Sequence, residues 1–345
     1  MHVILTLILA GAGGAVFALM GLPAPWLAGS MVAVTTAVLL RFPAAIYDPA
    51  RTAVFIILGI QIGGGIGEDT LQRMANWPES LAILSLTVVA VTWSGYWFFR
   101  RIHGWDRATS LFSSVPGALS LTLLLADQAR ADMPRVSIVQ GIRLFFLVAV
   151  LPLVIDMAGD GRDAVAAATA PPSLRDAAIL VAAGGAGAFL AQKARLPAAL
   201  ILGAMMASAL VKISGVVQGP LTDALLLPAY VVLGAMIGAR FLGFEPAWIA
   251  RLLGAGITGF VIAMILAFAG AVAAHQLSDL PLALTLVAFA PGGLEAMSIM
   301  AFALDLDPAY VGAMQIARYV GISLLLPIIS KALERIWRSS GGWNS

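Results

Sequence analysis

Apolar residues in this chain fall into ten runs of 16 to 23 residues, parted by short clusters of charge, proline and glycine. A membrane-spanning helix needs roughly 20 mostly apolar residues. The pattern therefore predicts helices over 3–20, 25–40, 51–66, 79–99 and 135–155, and again over 177–192, 198–214, 225–242, 252–274 and 309–330. Two further segments, 108–126 and 282–304, are apolar enough to enter a bilayer but are interrupted by Pro116-Gly117 and by Pro291-Gly292-Gly293. Proline removes a backbone donor and glycine removes the β-carbon, so each interruption is either a kink or the tip of a hairpin. The first run has no Lys or Arg before it and Gly21, Pro23 and Pro25 lead straight into the next, so it is expected to be a retained helix rather than a cleaved signal peptide.

The polar positions carry an internal repeat. Pro116, Gly117, Leu119, Ala126, Asp132, Val136, Gln140, Arg143, Leu151 and Pro152 recur 175 residues later, as Pro291, Gly292, Leu294, Ala301, Asp307, Val311, Gln315, Arg318, Leu326 and Pro327. Duplication in so apolar a chain predicts a two-halved membrane protein with its site between the halves. The expected division is repeat 1 over 1–156, an extracytoplasmic linker over 157–176 and repeat 2 over 177–345.

Loop charge discriminates between kink and hairpin, because cytoplasmic loops collect Lys and Arg. Twelve full crossings with the N-terminus inside place eleven Lys/Arg inside and seven outside. If the broken segments dip in and return, only Arg73, Arg162, Arg175 and Lys212 lie outside and fourteen lie inside, with Arg143 and Arg318 left within helices. The second count predicts five crossings plus one re-entrant hairpin per half. Five is odd, so the halves would be inverted relative to each other, with both termini cytoplasmic. The expected class is an all-α integral membrane protein of two inverted repeats.

Composition agrees with a bilayer: 61% hydrophobic residues, 11% charged and a mean hydropathy of +0.96 exceed what one soluble core can bury. A net charge of +2 without a basic cluster predicts no nucleic-acid partner. With no cysteine, disulfides, thiolate metal sites and cysteine nucleophiles are excluded. His2, His103 and His275 stand apart with no second ligand at metal spacing, and neither a Walker loop nor a GxSxG elbow occurs. The chain is expected not to be an enzyme and to hold no metal or cofactor. The lipid bilayer and a small solute are its expected partners, and homo-oligomerisation is left open.

The candidate site follows from the repeat. Each hairpin arm of about nine residues would reach ~14 Å, so the tips would meet near the midplane of a ~30 Å core. There Gly117, Gly292 and Gly293 would offer backbone N–H groups and positive helix ends suited to an anion. Ser113, Ser114, Ser120 and Thr122 would line the first tip, and Glu295 and Ser298 the second. Gln140 with Arg143, and Gln315 with Arg318, stand three apart and share a helix face. A mid-helix charge costs roughly 2.5–3.5 kcal/mol on insertion scales, so each arginine should face a cavity or a partner such as Glu295. A structural clamp or snorkelling toward the interface is the other reading. Asp132 and Asp307 precede helix starts and read as caps. Gly59 with Gly63, and Gly234 with Gly238, read as helix-packing surfaces, and six tryptophans (Trp77, Trp93, Trp97, Trp105, Trp248 and Trp337) as interfacial belts.

Leu22-Pro23-Ala24-Pro25-Trp26-Leu27-Ala28-Gly29, Ala290-Pro291-Gly292-Gly293-Leu294-Glu295-Ala296-Met297 and Gln315-Ile316-Ala317-Arg318, with the duplication, resemble the AbrB family of bacterial membrane proteins. This is the duplicated family that often carries an ammonia monooxygenase label, distinct from the small DNA-binding regulator of the same name. The resemblance implies a multi-pass protein of the bacterial inner membrane, and one member's name implies an effect on gene expression. Copper oxidation chemistry wants clustered imidazoles, which this chain lacks, so ammonia oxidation ranks last. A secondary transporter of a small solute ranks first, with Glu295 carrying a proton or helping to hold a sodium ion, and a membrane regulator without flux ranks second. The first repeat has Ser120 where the second has Glu295, so a coupling carboxylate would belong to one half only.

Overall fold

The computed structural model describes residues 2–64, 77–117, 119–158, 173–194, 196, 198–217, 221–278, 280–304 and 306–339, with backbone alone for several, including Ser120 and Glu295. Most of the linker expected over 157–176, and Arg73 and Arg162, lie outside the described residues. The described residues form fourteen α-helices and no strand. These are α1 His2–Leu19, α2 Pro25–Leu39, α3 Asp48–Gly64, α4 Trp77–Arg101, α5 Arg107–Ser114, α6 Leu119–Gln128 and α7 Met133–Ala158. Then follow α8 Leu174–Lys193, α9 Ala199–Ile213, α10 Asp223–Gly238, α11 Pro246–Ser278, α12 Leu282–Phe289, α13 Leu294–Ala303 and α14 Pro308–Ser339. Seven of them contain stretches long and apolar enough to cross a membrane.

The helices meet through small residues, as an apolar solvent requires, since close packing replaces the hydrophobic drive between them. An added β-carbon on Gly13 of α1 would lie 2.5 Å from the Gly29 carbonyl of α2, and Gly187 of α8 meets Gly203 of α9 in the same way at 2.2 Å. Gly59 and Gly63 of α3 abut Ile201 and Met205 of α9 in turn, so α3 and α9 run in the same direction. Gly234 and Gly238 of α10 likewise abut Leu27 and Met31 of α2, again in the same direction. Between α4 and α11 the order reverses: Ser80 bonds Ser278 at 3.1 Å, Thr87 touches Gly270 and Phe99 touches Gly259, so these two are antiparallel.

Both broken segments reverse. Val115, Pro116 and Gly117 separate α5 from α6, with Gly117 at φ +84°, and the Asp132 N–H beyond α6 donates to Thr109 Oγ1 at the start of α5, at 2.8 Å. In the second segment Tyr310 at the head of α14 packs edge-on against Trp77, one turn from the Ser80 that meets Ser278 before α12. Each hairpin thus ends where it began. The aspartates cap as expected: Asp132 Oδ1 accepts from Arg135 N at 3.1 Å, and Asp307 Oδ1 accepts from Ala309 N at 2.9 Å. Trp93, Trp97 and Trp248 are exposed, whereas Trp77 and Trp105 are buried, Trp105 stacked on Phe99, so the interfacial reading fails for these two.

Candidate functional site

Breaking a helix with proline leaves specific carbonyls without donors. Pro116 has no N–H to offer the Phe112 carbonyl four residues back, and the last carbonyls of α5 are orphans at its C-terminus. Gln140 of α7 supplies what is missing: its Nε2 donates to the Phe112 and Val115 carbonyls at 2.8 and 3.0 Å. Arg143 adds a bond from NH1 to the Val115 carbonyl at 3.1 Å and a second from NH2 to Gln140 Oε1. The second hairpin repeats the device. Gln315 of α14 donates to the Val287 carbonyl, the partner Pro291 cannot serve, at 3.4 Å and to that of Ala288 at 3.0 Å. Arg318 donates to the Ala290 and Gly292 carbonyls and to Gln315 Oε1. Each guanidinium also sits at the negative end of a half-helix, where a cation is favoured.

All four side chains are buried, Gln140 and Arg143 at 2% and 8% exposure and Gln315 and Arg318 at 1% and 5%. No carboxylate of the described residues pairs with either arginine; the expected partner Glu295 has its side chain outside the described residues. The guanidinium groups therefore do not snorkel. They are held at the tips by backbone oxygen.

The tips touch. A β-carbon on Gly117 would lie 3.2 Å from Arg318 Nε and 3.6 Å from the Gly292 carbonyl, so the first tip borders both the second tip and the arginine that clamps it. Beside this junction lies a cavity of about 580 Å³, lined by Gly117, Gln140 and Arg143 from the first half and Gly292 and Gly293 from the second. Arg143 lies in the field of two like charges, Arg318 and Arg240, and Arg240 and Arg51 also line the cavity, with Asp48 the described carboxylate among them. The α9 helix, started by Ala198 in the left-handed conformation (φ 49°), and α13, capped by Gly293, both begin at the wall. The surroundings favour an anion.

Some expected site residues fall elsewhere. Gln315 and Arg318 hold the second tip without lining the cavity, and Ser298 is buried at 1% exposure with its hydroxyl unpartnered and also outside the lining. Ser114 turns onto Gly95 of α4 and bonds the Leu111 carbonyl, because helical geometry points it away from the tip. Thr122 Oγ1 donates back to the Gly117 carbonyl at 3.4 Å. Ser120 lies in α6, with its side chain outside the described residues. Sequence reasoning missed Asp48, Arg51, Gln192 and Arg240. Asp48 recurs as Asp223 at the 175-residue spacing, each opening a helix, so the repeat itself could have marked it. Arg51, Gln192 and Arg240 have no like residue at that spacing, and the signal for them was position alone, at or near a helix end.

Paired helical hairpins clamped by buried Gln–Arg motifs, among long apolar helices, define a multi-pass membrane protein. The chain belongs to the AbrB family: the family's sequence model, described as "Transition state regulatory protein AbrB", matches residues 26–334. It is 29% identical to "Putative regulator AbrB" of Escherichia coli (strain K12), over 91% of each chain. It is 26% identical to "Uncharacterized protein YhjN" of Bacillus subtilis (strain 168), over 95% of this chain and 92% of that one. No solved structure matches it.

Proposed function

We propose that this chain is a secondary transporter of a small anionic solute, with the site in the cavity where the two Pro-Gly tips meet. The observation that carries the reading is the concentration of Arg51, Arg143 and Arg240 and of backbone donors around one cavity of about 580 Å³. Buried cationic groups inside a membrane mark a solute or ion path by default.

An inverted-repeat architecture is supported by helix direction. With five crossings and a re-entrant hairpin per half, α3 and α9 are the third and seventh crossings and must be parallel, and α4 and α11 are the fourth and ninth and must be antiparallel. With twelve crossings both relations reverse. The glycine contacts favour the first arrangement. In it the two termini are cytoplasmic, in a bacterial inner membrane, and the cavity opens toward the side on which α3 and α9 begin. The halves then rock around the fixed tips to alternate access, with a proton or sodium ion at Glu295 as the coupling partner. Binding and translocation, not bond chemistry, are the proposed activity.

A membrane regulator without flux is the second reading, drawn from the name of the Escherichia coli relative. Proteoliposome uptake of a panel of organic anions under proton and sodium gradients separates the two. Transport predicts accumulation in the wild type that Glu295→Gln uncouples from the gradient. Saturable binding with no flux for any anion under either gradient would support the regulator and overturn the transporter.

A further inference from the structure

We infer that the solute is an amphipathic monoanion, a carboxylate or like group carried on a hydrocarbon body, and that it lies lengthwise in the cavity with its charge at the tips. The inference rests on the transport site proposed above and specifies what that site recognises.

Charge and apolar surface are segregated along the cavity. Arg143 stands ten residues into α7, about 15 Å from its start, whereas Arg51 stands three residues into α3, about 5 Å from its start, at 1.5 Å per residue. In the proposed orientation both helices start on the cytoplasmic side, so the deep and shallow cations are separated by on the order of 10 Å in depth. The deep end holds Arg143, Gln140 and the glycine backbone of both tips. Of Arg143's five N–H donors, one serves the Val115 carbonyl and one serves Gln140, which leaves donors for a bound head group. The shallow end holds both signs, with Asp48 beside Arg51 and Arg240, and so does not demand a second anionic group. The wall between is Phe55, Leu233, Met236 and Ile237, with no charged residue among them. A fully hydrated inorganic anion would leave that wall in contact with water, while a hydrocarbon body would cover it.

The test is equilibrium binding of radiolabelled octanoate to the full-length protein in lipid nanodiscs, corrected for empty discs. Butanoate, hexanoate, octanoate, octanamide, octylamine, sulfate and phosphate serve as competitors. The expected result is saturable octanoate binding, with affinity rising about fourfold per methylene from butanoate to octanoate and octanamide and octylamine at least tenfold weaker. Met236→Asp, which charges the wall without touching the hairpin clamps, should abolish the chain-length gain in a protein that still elutes as a single species. Absence of octanoate binding to folded protein, equal binding of octanamide, or competition by sulfate or phosphate as strong as by octanoate would each overturn the assignment. Octanoate binding without flux refutes the transport reading alone. Flux of sulfate or phosphate that octanoate leaves untouched refutes this assignment alone.

Discussion

Removal of the two buried arginines should have different main effects, because they divide their hydrogen bonds differently. Arg318 makes three bonds, to the Ala290 and Gly292 carbonyls and Gln315 Oε1. A hydrogen bond to a charged group contributes about 1.5–3 kcal/mol, so Arg318→Met forfeits about 4.5–9 kcal/mol, against which stands the ~2.5–3.5 kcal/mol no longer spent on a mid-helix charge. The net loss is about 1–6.5 kcal/mol. Arg143 makes two such bonds, and the same arithmetic for Arg143→Met gives roughly −0.5 to 3.5 kcal/mol. Arg143 lines the cavity and Arg318 does not. Arg318→Met should therefore lower the unfolding midpoint in detergent more, and Arg143→Met should weaken anion binding more, measured on the same preparations by thermal unfolding and ligand titration. Arg318→Lys keeps the charge but replaces the planar fork, whose bonds leave from two nitrogens, with a single ammonium, and should recover only a minor part of the stability. Equal stability of Arg318→Met and wild type, or a greater loss of stability in Arg143→Met, would refute the clamp.

Other consequences are equally direct. A β-carbon on Gly63 would lie 2.1 Å from the Met205 carbonyl, so Gly63→Ala should cost about 1–3 kcal/mol in thermal or denaturant unfolding. Gly64→Ala, with nothing within 4 Å among the described residues, should be neutral or stabilising by up to about 1 kcal/mol. Asp307→Ala should cost about 1 kcal/mol through its lost cap and leave ligand affinity unchanged. Gly256 of α11 packs on Ile142 of α7; shifted by the 175-residue repeat, the corresponding pair is Leu81 of α4 and Ala317 of α14. If the halves exchange conformations, a Leu81→Cys/Ala317→Cys pair should crosslink more in the outward-facing state, and insensitivity to an imposed solute gradient would count against that exchange.

Periodicity and breakers carried most of the fold. Ten apolar runs became helices, most with ends close to those expected, because in a bilayer every backbone polar group must be satisfied within its own segment; α14 is the exception at its end, continuing to Ser339 beyond the expected 330. The start of α11 was read too late, at 252 instead of Pro246, since Arg251 interrupts the apolar run while Pro246 is a favoured first-turn residue. The Gln–Arg motif was legible as important but its partner was not. Its target is a carbonyl 28 residues upstream, Phe112 for Gln140 and Val287 for Gln315, and only the loss of the proline's donor identifies it. Arg51 and Arg240 could not be assigned from sequence because the repeat has Leu226 and Gly65 at their counterpart positions, and only the fold gathers them at one cavity.

The most direct test of two oppositely oriented halves around one midplane site uses the absence of native cysteine. Single cysteines at Gln128, closing the first hairpin, and at Gln276, near the end of α11, are both placed at exposed positions. They are then challenged in whole cells with a membrane-impermeant thiol reagent. Five crossings and a re-entrant hairpin per half predict labelling at 276 and protection at 128; labelling at 128 with protection at 276 would mean twelve crossings in parallel halves and would contradict the site proposed between the tips.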